Sequence, residues 1–346
     1  MASTTDPTTH PRLAWGLAEP GLGLALGGAH HAEQVVGRRA WVDRAEALGL
    51  HSVWLPEMHF APGVCPAPLV ELADFAARTE RVRLGTTSLL LPLHPPEALA
   101  AEIAALDRLC GGRLLIGLGR GFQSRMLAAF GVDPARKRDR FDESLARMLT
   151  LWGEANERRR GVHATHQRPH PPLAVAAFGP KGLAQAARHG LPYLASPVEP
   201  LGQIEENQSR HRALLPEGAE RPLSLVMRTV FVSERGEELE AARSALSREM
   251  SQGAPRMPSA VRRALESPLE ERAIVGRPDE VADGLGRIRK RLGIDLLILR
   301  PQIAGLERAA LERSLELLSR EIWPRVRARD RERPRAWRAP NPLRRG

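Results

Sequence analysis

Short, continuously apolar runs alternate along the chain with longer stretches in which apolar residues recur every three or four positions. Runs of the first kind predict strands buried on both faces, as in a parallel sheet. Stretches of the second kind predict amphipathic helices. Eight strands follow: Leu22–Leu26, Ser52–Leu55, Arg83–Leu91, Arg113–Leu118, Leu173–Ala177, Tyr193–Ala195, Leu225–Val232 and Ile294–Leu299. Between the first two, Val36, Ala40, Trp41, Ala45 and Leu48 keep helical spacing until Gly49 ends the pattern. Another helix opens at Pro278-Asp279-Glu280, with proline early and acids where the helix dipole favours them. Helices are also predicted over Asp139–Trp152 and Leu311–Ile322.

Eight such alternations in 346 residues predict a (β/α)8 TIM barrel with insertions, a single domain over residues 21–327. Residues 1–20 read as an N-terminal tail, and 328–346 as an Arg/Pro-rich disordered tail. Arg158–Pro172 and Ser251–Gly276 break the rhythm with polar, Pro- or Gly-rich sequence and read as insertions. Long loops on a barrel commonly serve as lids. There is no apolar run of membrane-spanning length, and Met1–Pro11 lacks the layout of a signal peptide. Cys65 and Cys110 form no CxxC pair and read as free thiols, so a cytoplasmic location is expected.

The net charge of +10 suggests a nucleic-acid partner only until it is located. From Arg325 to Gly346, nine arginines face two acidic residues, so this stretch carries +7 of the total. The barrel itself is close to neutral, and no aromatic residues interleave with basic ones as a stacking platform requires. Neither a nucleic acid nor a membrane is expected as partner.

In such barrels ligands bind where the strands end. The second strand ends in Pro56-Glu57-Met58-His59-Phe60, the third contains Thr86-Thr87-Ser88, and the fourth ends in Gly119-Arg120-Gly121-Phe122. The fifth is followed by Phe178-Gly179-Pro180-Lys181-Gly182, entering a helix. Glycines that admit a ligand, an arginine with paired donors and a helix N-terminus together describe a phosphate site. His59 beside Glu57 suits acid–base work, while His94, between Leu93 and Pro95-Pro96, reads as structural. The spacing Gly117-x-Gly119-x-Gly121 places its last glycine one residue early for a dinucleotide fold. His163, His166 and His170 lack cysteine or carboxylate partners and read as a solvated loop, and His30-His31 lacks the aspartates of a barrel metallohydrolase, so no metal is expected.

The chain resembles the bacterial luciferase-like flavin monooxygenases from about Gly21 to Arg327. The resemblance is carried by Arg81-Val82-Arg83-Leu84-Gly85-Thr86, by Leu91-Pro92-Leu93-His94-Pro95-Pro96, and by the run from Gly111 to Phe122. Phe130-Gly131-Val132-Asp133, His170-Pro171-Pro172 and Gly190-Leu191-Pro192 extend it.

This resemblance implies an enzyme that uses reduced FMN and molecular oxygen to oxygenate a small-molecule substrate. A separate flavin reductase would supply the cofactor, and a homodimer is implied. Arg120 and Arg138 would hold the flavin phosphate, with Phe122, Gly179 and Gly182 completing the cradle. A cis peptide between Thr87 and Ser88 would lie under the flavin ring, with Phe178 at its edge. His59 and Glu57 are the expected proton-handling residues, because Met58 and Gly119 replace the luciferases' catalytic histidine and reactive thiol. Gly179 and Gly182 likewise replace hydroxyl-bearing positions. A deazaflavin-dependent oxidoreductase on the same barrel is the alternative, and a non-catalytic flavin-binding protein is a third.

Overall fold

Each of the eight apolar runs forms a strand, and one further strand appears that periodicity does not show. The structure, a computed structural model, describes residues 11–27, 35–60, 64–158, 161–253 and 259–331. Its strands are β1 (Gly21–Ala25), β2 (Ser52–Leu55), β3 (Arg83–Leu90), β4 (Leu114–Gly119), β5 (Leu173–Ala176), β6 (Tyr193–Ala195), β7 (Leu225–Val232), β8 (Ala273–Gly276) and β9 (Leu296–Arg300). All pair in parallel, and every strand except β8 belongs to a ring closed by β6–β7 and β1–β9. This is a (β/α)8 TIM barrel.

The helices are α1 (Pro11–Ala14), α2 (Val35–Ala47), α3 (Pro68–Arg78), α4 (Pro96–Leu109), α5 (Ser124–Ala129), α6 (Lys137–Glu157) and α7 (Pro180–Arg188). They continue with α8 (Leu201–Ala213), α9 (Gly236–Gly253), α10 (Ser259–Leu265), α11 (Pro278–Leu292), α12 (Arg308–Leu317) and α13 (Trp323–Arg331). Helix α11 shows why the local reading worked. Pro278 opens it, the Glu280 carboxylate accepts the Arg277 amide at 2.8 Å, and Gly293 closes it at φ +60°. The expected tail at 328–346 begins inside α13, and its residues beyond Arg331 lie outside the described ones.

Alternation along the strands separates two cores. Leu225, Met227, Leu296 and Ile298 point into the barrel, while Val226, Leu297 and Leu299 pack against the helices. Inside, Trp54 occupies space that two glycines vacate. A Cβ on Gly85 would lie 2.3 Å from the indole, and one on Gly23 would lie 3.0 Å from its Nε1. The barrel floor is completed from residues that the sequence assigned to a tail. Trp15 and Leu17 are buried in the interior cluster, and Trp15 stacks on Trp54 with ring centroids 6.4 Å apart. The boundary drawn at Gly21 is therefore too late, because Trp15 and Leu17, which follow α1, plug the floor.

Two insertions also need correction. Ser251–Gly276 is not one irregular stretch: it finishes α9, supplies α10 and adds β8, with residues 254–258 outside the described ones. Thr229 pairs with Ala273 on one edge and Arg300 on the other, so β8 occupies the edge of β7 that the short β6 leaves open. Arg158–Pro172 is, among its described residues, pinned to the barrel at several points. Its Gln167 amide and side chain both bind the buried Asp107 carboxylate at 2.8 Å, Thr165 is buried, and His170 lies against Trp152. Cys65 and Cys110 are buried free thiols. Among the described residues, no helix is long and apolar enough to cross a membrane.

Candidate active site

The end of β2 delivers a buried carboxylate to the barrel mouth. Glu57 Oε1 accepts His59 Nε2 at 2.8 Å, and His94 Nε2 lies 3.0 Å from both carboxylate oxygens. The Leu90 amide donates to Oε2 at 2.6 Å. A buried carboxylate is stable only when such donors surround it. Each Nε2 therefore carries its proton towards Glu57, which leaves Nδ1 of each ring as the proton-accepting nitrogen. His94, read as a turn residue, is in fact a second imidazole on the same carboxylate. Only the spatial meeting of the β2 and β3 ends reveals it.

The Glu57 amide donates to the Ser88 carbonyl at 3.2 Å, tying this hub to β3. The Thr87–Ser88 peptide is cis, at the position that the family resemblance implied. The β3–β4 register shifts between Thr87 and Leu89, a bulge that leaves Ser88 out of the ladder. Gly119 faces it from β4, and a Cβ there would sit 2.2 Å from Ser88 Oγ. Ser88 as placed and any side chain at 119 exclude each other, which accounts for the glycine where luciferases carry a thiol.

A second group gathers at the ends of β4 and β5. Arg120 donates to the Ala176 carbonyl at 2.8 Å and to Gln185 Oε1 at 2.9 Å, and its guanidinium covers Gly182 in the first turn of α7. Burial, and then the neighbouring Arg138, lower the Arg120 guanidinium to about 10. Burial also lowers Lys137, assisted by Arg138 and Arg120, and its ammonium donates to the Gly121 carbonyl at 3.0 Å. Lys137 was not foreseen, although it adjoins Arg138 in the sequence. Arg138 is exposed and has no carboxylate within ion-pair distance among the described residues. Lys137 and Arg138 occupy the N-terminal turn of α6, where the helix dipole disfavours cations. Neither α6 nor α7, whose N-cap is Gly179, has a side-chain cap. Mutually repelling cations beside two uncapped helix starts form a cradle that an anion stabilises.

Phe178 and Gly179 edge a solvent-open cleft of about 360 Å³ that also meets Gln203, Asn207 and Arg263, so α10 reaches this side of the mouth. On the opposite side Arg300, the last residue of β9, binds Thr229 Oγ1 at 3.3 Å and pairs with Glu249 of α9. The excursion after β7 thus touches the mouth at both places. Phe122 is half exposed. Among the described residues, no group of three His, Cys, Asp or Glu side chains could hold a metal ion.

The profile of the luciferase-like monooxygenases matches residues 24–296, the stretch that builds both groups. The chain belongs to this family. A relative named 4-hydroxyprotoasukamycin monooxygenase, from Streptomyces nodosus subsp. asukaensis, is 27% identical over 82% of this chain and 84% of its own length. An F420-dependent glucose-6-phosphate dehydrogenase from Beutenbergia cavernae is 30% identical over 89% of this chain and 99% of its own. Several other relatives are matched over only 50–59% of their length. Among solved structures, monooxygenase RslO1 from Streptomyces bottropensis is 28% identical and superposes with a TM-score of 0.71, over 88% of this chain and 99% of that one.

Proposed function

We propose that the protein is a flavin-dependent monooxygenase that uses reduced FMN and molecular oxygen to oxygenate a small organic substrate. The observation that carries this reading is the convergence of Arg120, Lys137 and Arg138 beside two uncapped helix starts. A phosphate dianion fits that cradle, and the open backbone at Gly179, where a Cβ would meet nothing within 4 Å, leaves room for it. Thr87, Ser88 and Gly119 would form the floor beneath the ring, with Phe178 at its edge. Reduced FMN, when bound, supplies the electrons with which one oxygen atom enters the substrate and the other leaves as water.

The remaining work falls to the chain's own side chains. Glu57 fixes the His59 tautomer and stabilises the imidazolium formed when Nδ1 takes a proton. Arg120 is held in place by Ala176 and Gln185 before any ligand arrives, so little side-chain freedom is lost on binding. A reductase partner and a homodimer belong to the same proposal.

The long match to an F420-dependent dehydrogenase favours a second reading, hydride transfer with a deazaflavin held in the same cradle. An anaerobic titration of the full-length protein with reduced FMN and with reduced deazaflavin coenzyme separates the two. Preferential binding of FMN, followed by oxygen consumption, is the expected result; preference for the deazaflavin transfers the assignment to hydride transfer. Loss of neither affinity on Arg120→Met would sink the phosphate assignment.

A further inference from the structure

Beside the Glu57–His59 hub the barrel mouth presents aromatic surface to water. Phe60 is 72% exposed and Phe130 is 40% exposed, although they come from different loops, one after β2 and one after α5. Their ring centroids lie 6.0 Å apart, and His59 lies 5.9 Å from Phe60 and 4.7 Å from Phe130. The three rings are tilted to one another by 46°, 58° and 45°. Phe60 is also the non-glycine residue with a left-handed backbone among those described, at φ +61°. A bulky side chain rarely adopts that conformation, and here it is not compensated by burying the ring. Water-facing aromatic area gathered around a histidine offers a recognition surface.

The geometry points to a planar aromatic substrate with an ionisable hydroxyl, seated on Phe60 and Phe130 with that hydroxyl at His59. Tilted rings offer both faces and edges, the arrangement in which a third ring gains more than an aliphatic group of equal area. His59 cannot release Nε2, which Glu57 holds, so the hydroxyl meets Nδ1. The O–H bond breaks, the proton joins Nδ1, and the electron pair stays on the phenolate oxygen, enriching the ring carbons. Glu57 balances the imidazolium that results. Delivery of oxygen to such a carbon rests on the flavin reading above; binding and ionisation do not. The surface is continuous with the candidate site through His59, Glu57 and the Ser88 carbonyl, which favours a substrate over a partner protein as its occupant.

The test is calorimetric titration of the full-length protein without flavin, using 4-nitrophenol, 4-nitroanisole and cyclohexanol, with absorbance reporting the nitrophenolate. Both aromatic compounds should bind more tightly than cyclohexanol. The phenolate band should appear on binding at a pH below the free compound's own pKa. Phe60→Leu, at an exposed position where folding is not at stake, should weaken both aromatic ligands about three- to tenfold and leave cyclohexanol unchanged. His59→Gln should keep aromatic binding and abolish the phenolate band. Equal affinity for cyclohexanol, or undiminished nitrophenol binding by Phe60→Leu, overturns the proposal. So does a Phe60→Leu protein whose only change is in sedimentation, which would make the patch a contact between copies of this chain. Reduced FMN titrated in parallel keeps the readings apart: if it fails to bind while nitrophenol ionises as expected, the flavin assignment falls and the aromatic site stands.

Discussion

The floor and the mouth of this barrel are built from the same strands and obey opposite rules. At the floor, the polar atoms around Trp54 pair with one another in neutral form. His51 Nε2 donates to the Trp15 carbonyl at 2.9 Å, Ser52 Oγ donates to His51 Nδ1 at 2.9 Å, and Trp54 Nε1 donates to Ser52 Oγ at 2.8 Å. At the mouth, cations repel one another, two imidazoles share one carboxylate, and aromatic rings face water. The floor spends its composition on stability, whereas the mouth keeps interactions that only a ligand completes.

The sharpest way to break this comparison is Trp54→Ala. Emptying the indole's site inside the barrel should cost about 3–5 kcal/mol in urea unfolding while leaving the ligand affinity of the folded protein intact. If that variant unfolds like the wild type, the floor is not the stabilising region.

A pH series tests the floor next. Burial pulls the His51 imidazole down to about 4, against the bonding to Trp15 that raises it. The unfolded chain then takes up the proton first. Stability is present above about 6.5 and lost as pH falls through about 4, an effect of about 3 kcal/mol. Glu199, four residues past the C-terminal end of β6 and so on the side of the mouth, carries the opposite slope. Burial pushes its carboxyl up to about 7, so its contribution is present below about 4.5 and lost as pH rises through 7. Comparing urea midpoints of the wild type with His51→Gln and with Glu199→Gln isolates each limb. A His51→Gln protein that retains the acid-side loss would contradict the assignment.

At the mouth, Arg120→Met keeps the apolar stem and removes the charge. It should weaken reduced-FMN binding about 10–100-fold, the worth of a charge-assisted hydrogen bond, without the stability loss of Trp54→Ala. The smallest expected effect is Lys137→Gln. Relieving a cation at the start of α6 should raise stability by up to about 1 kcal/mol and weaken FMN by less than tenfold. A destabilised Lys137→Gln protein would show that the cluster is structural.

Much of this was legible because it is local. Continuous apolar runs marked eight strands, and Pro278, Glu280 and Gly293 bounded α11, since caps and periodicity depend on near neighbours. The family resemblance placed the cis peptide at Thr87–Ser88. Other features were hidden by distance along the chain. His94 and Glu57 are 37 residues apart, and nothing in Leu93-His94-Pro95 tells of a carboxylate arriving from another strand. The pairing of β8 with β7 depends on how soon β6 ends, which no property of Ala273–Gly276 encodes.

The amino-acid order by itself determined the alternation of strand and helix, the caps, and the strand ends that carry Glu57, Arg120 and Phe178, because backbone preference and side-chain period act over a few residues. Tertiary structure alone decided that Trp15 plugs the floor, that Gly23 and Gly85 yield to Trp54, and that Lys137 joins Arg120. Those outcomes depend on which atoms closure of the barrel brings within a few ångströms.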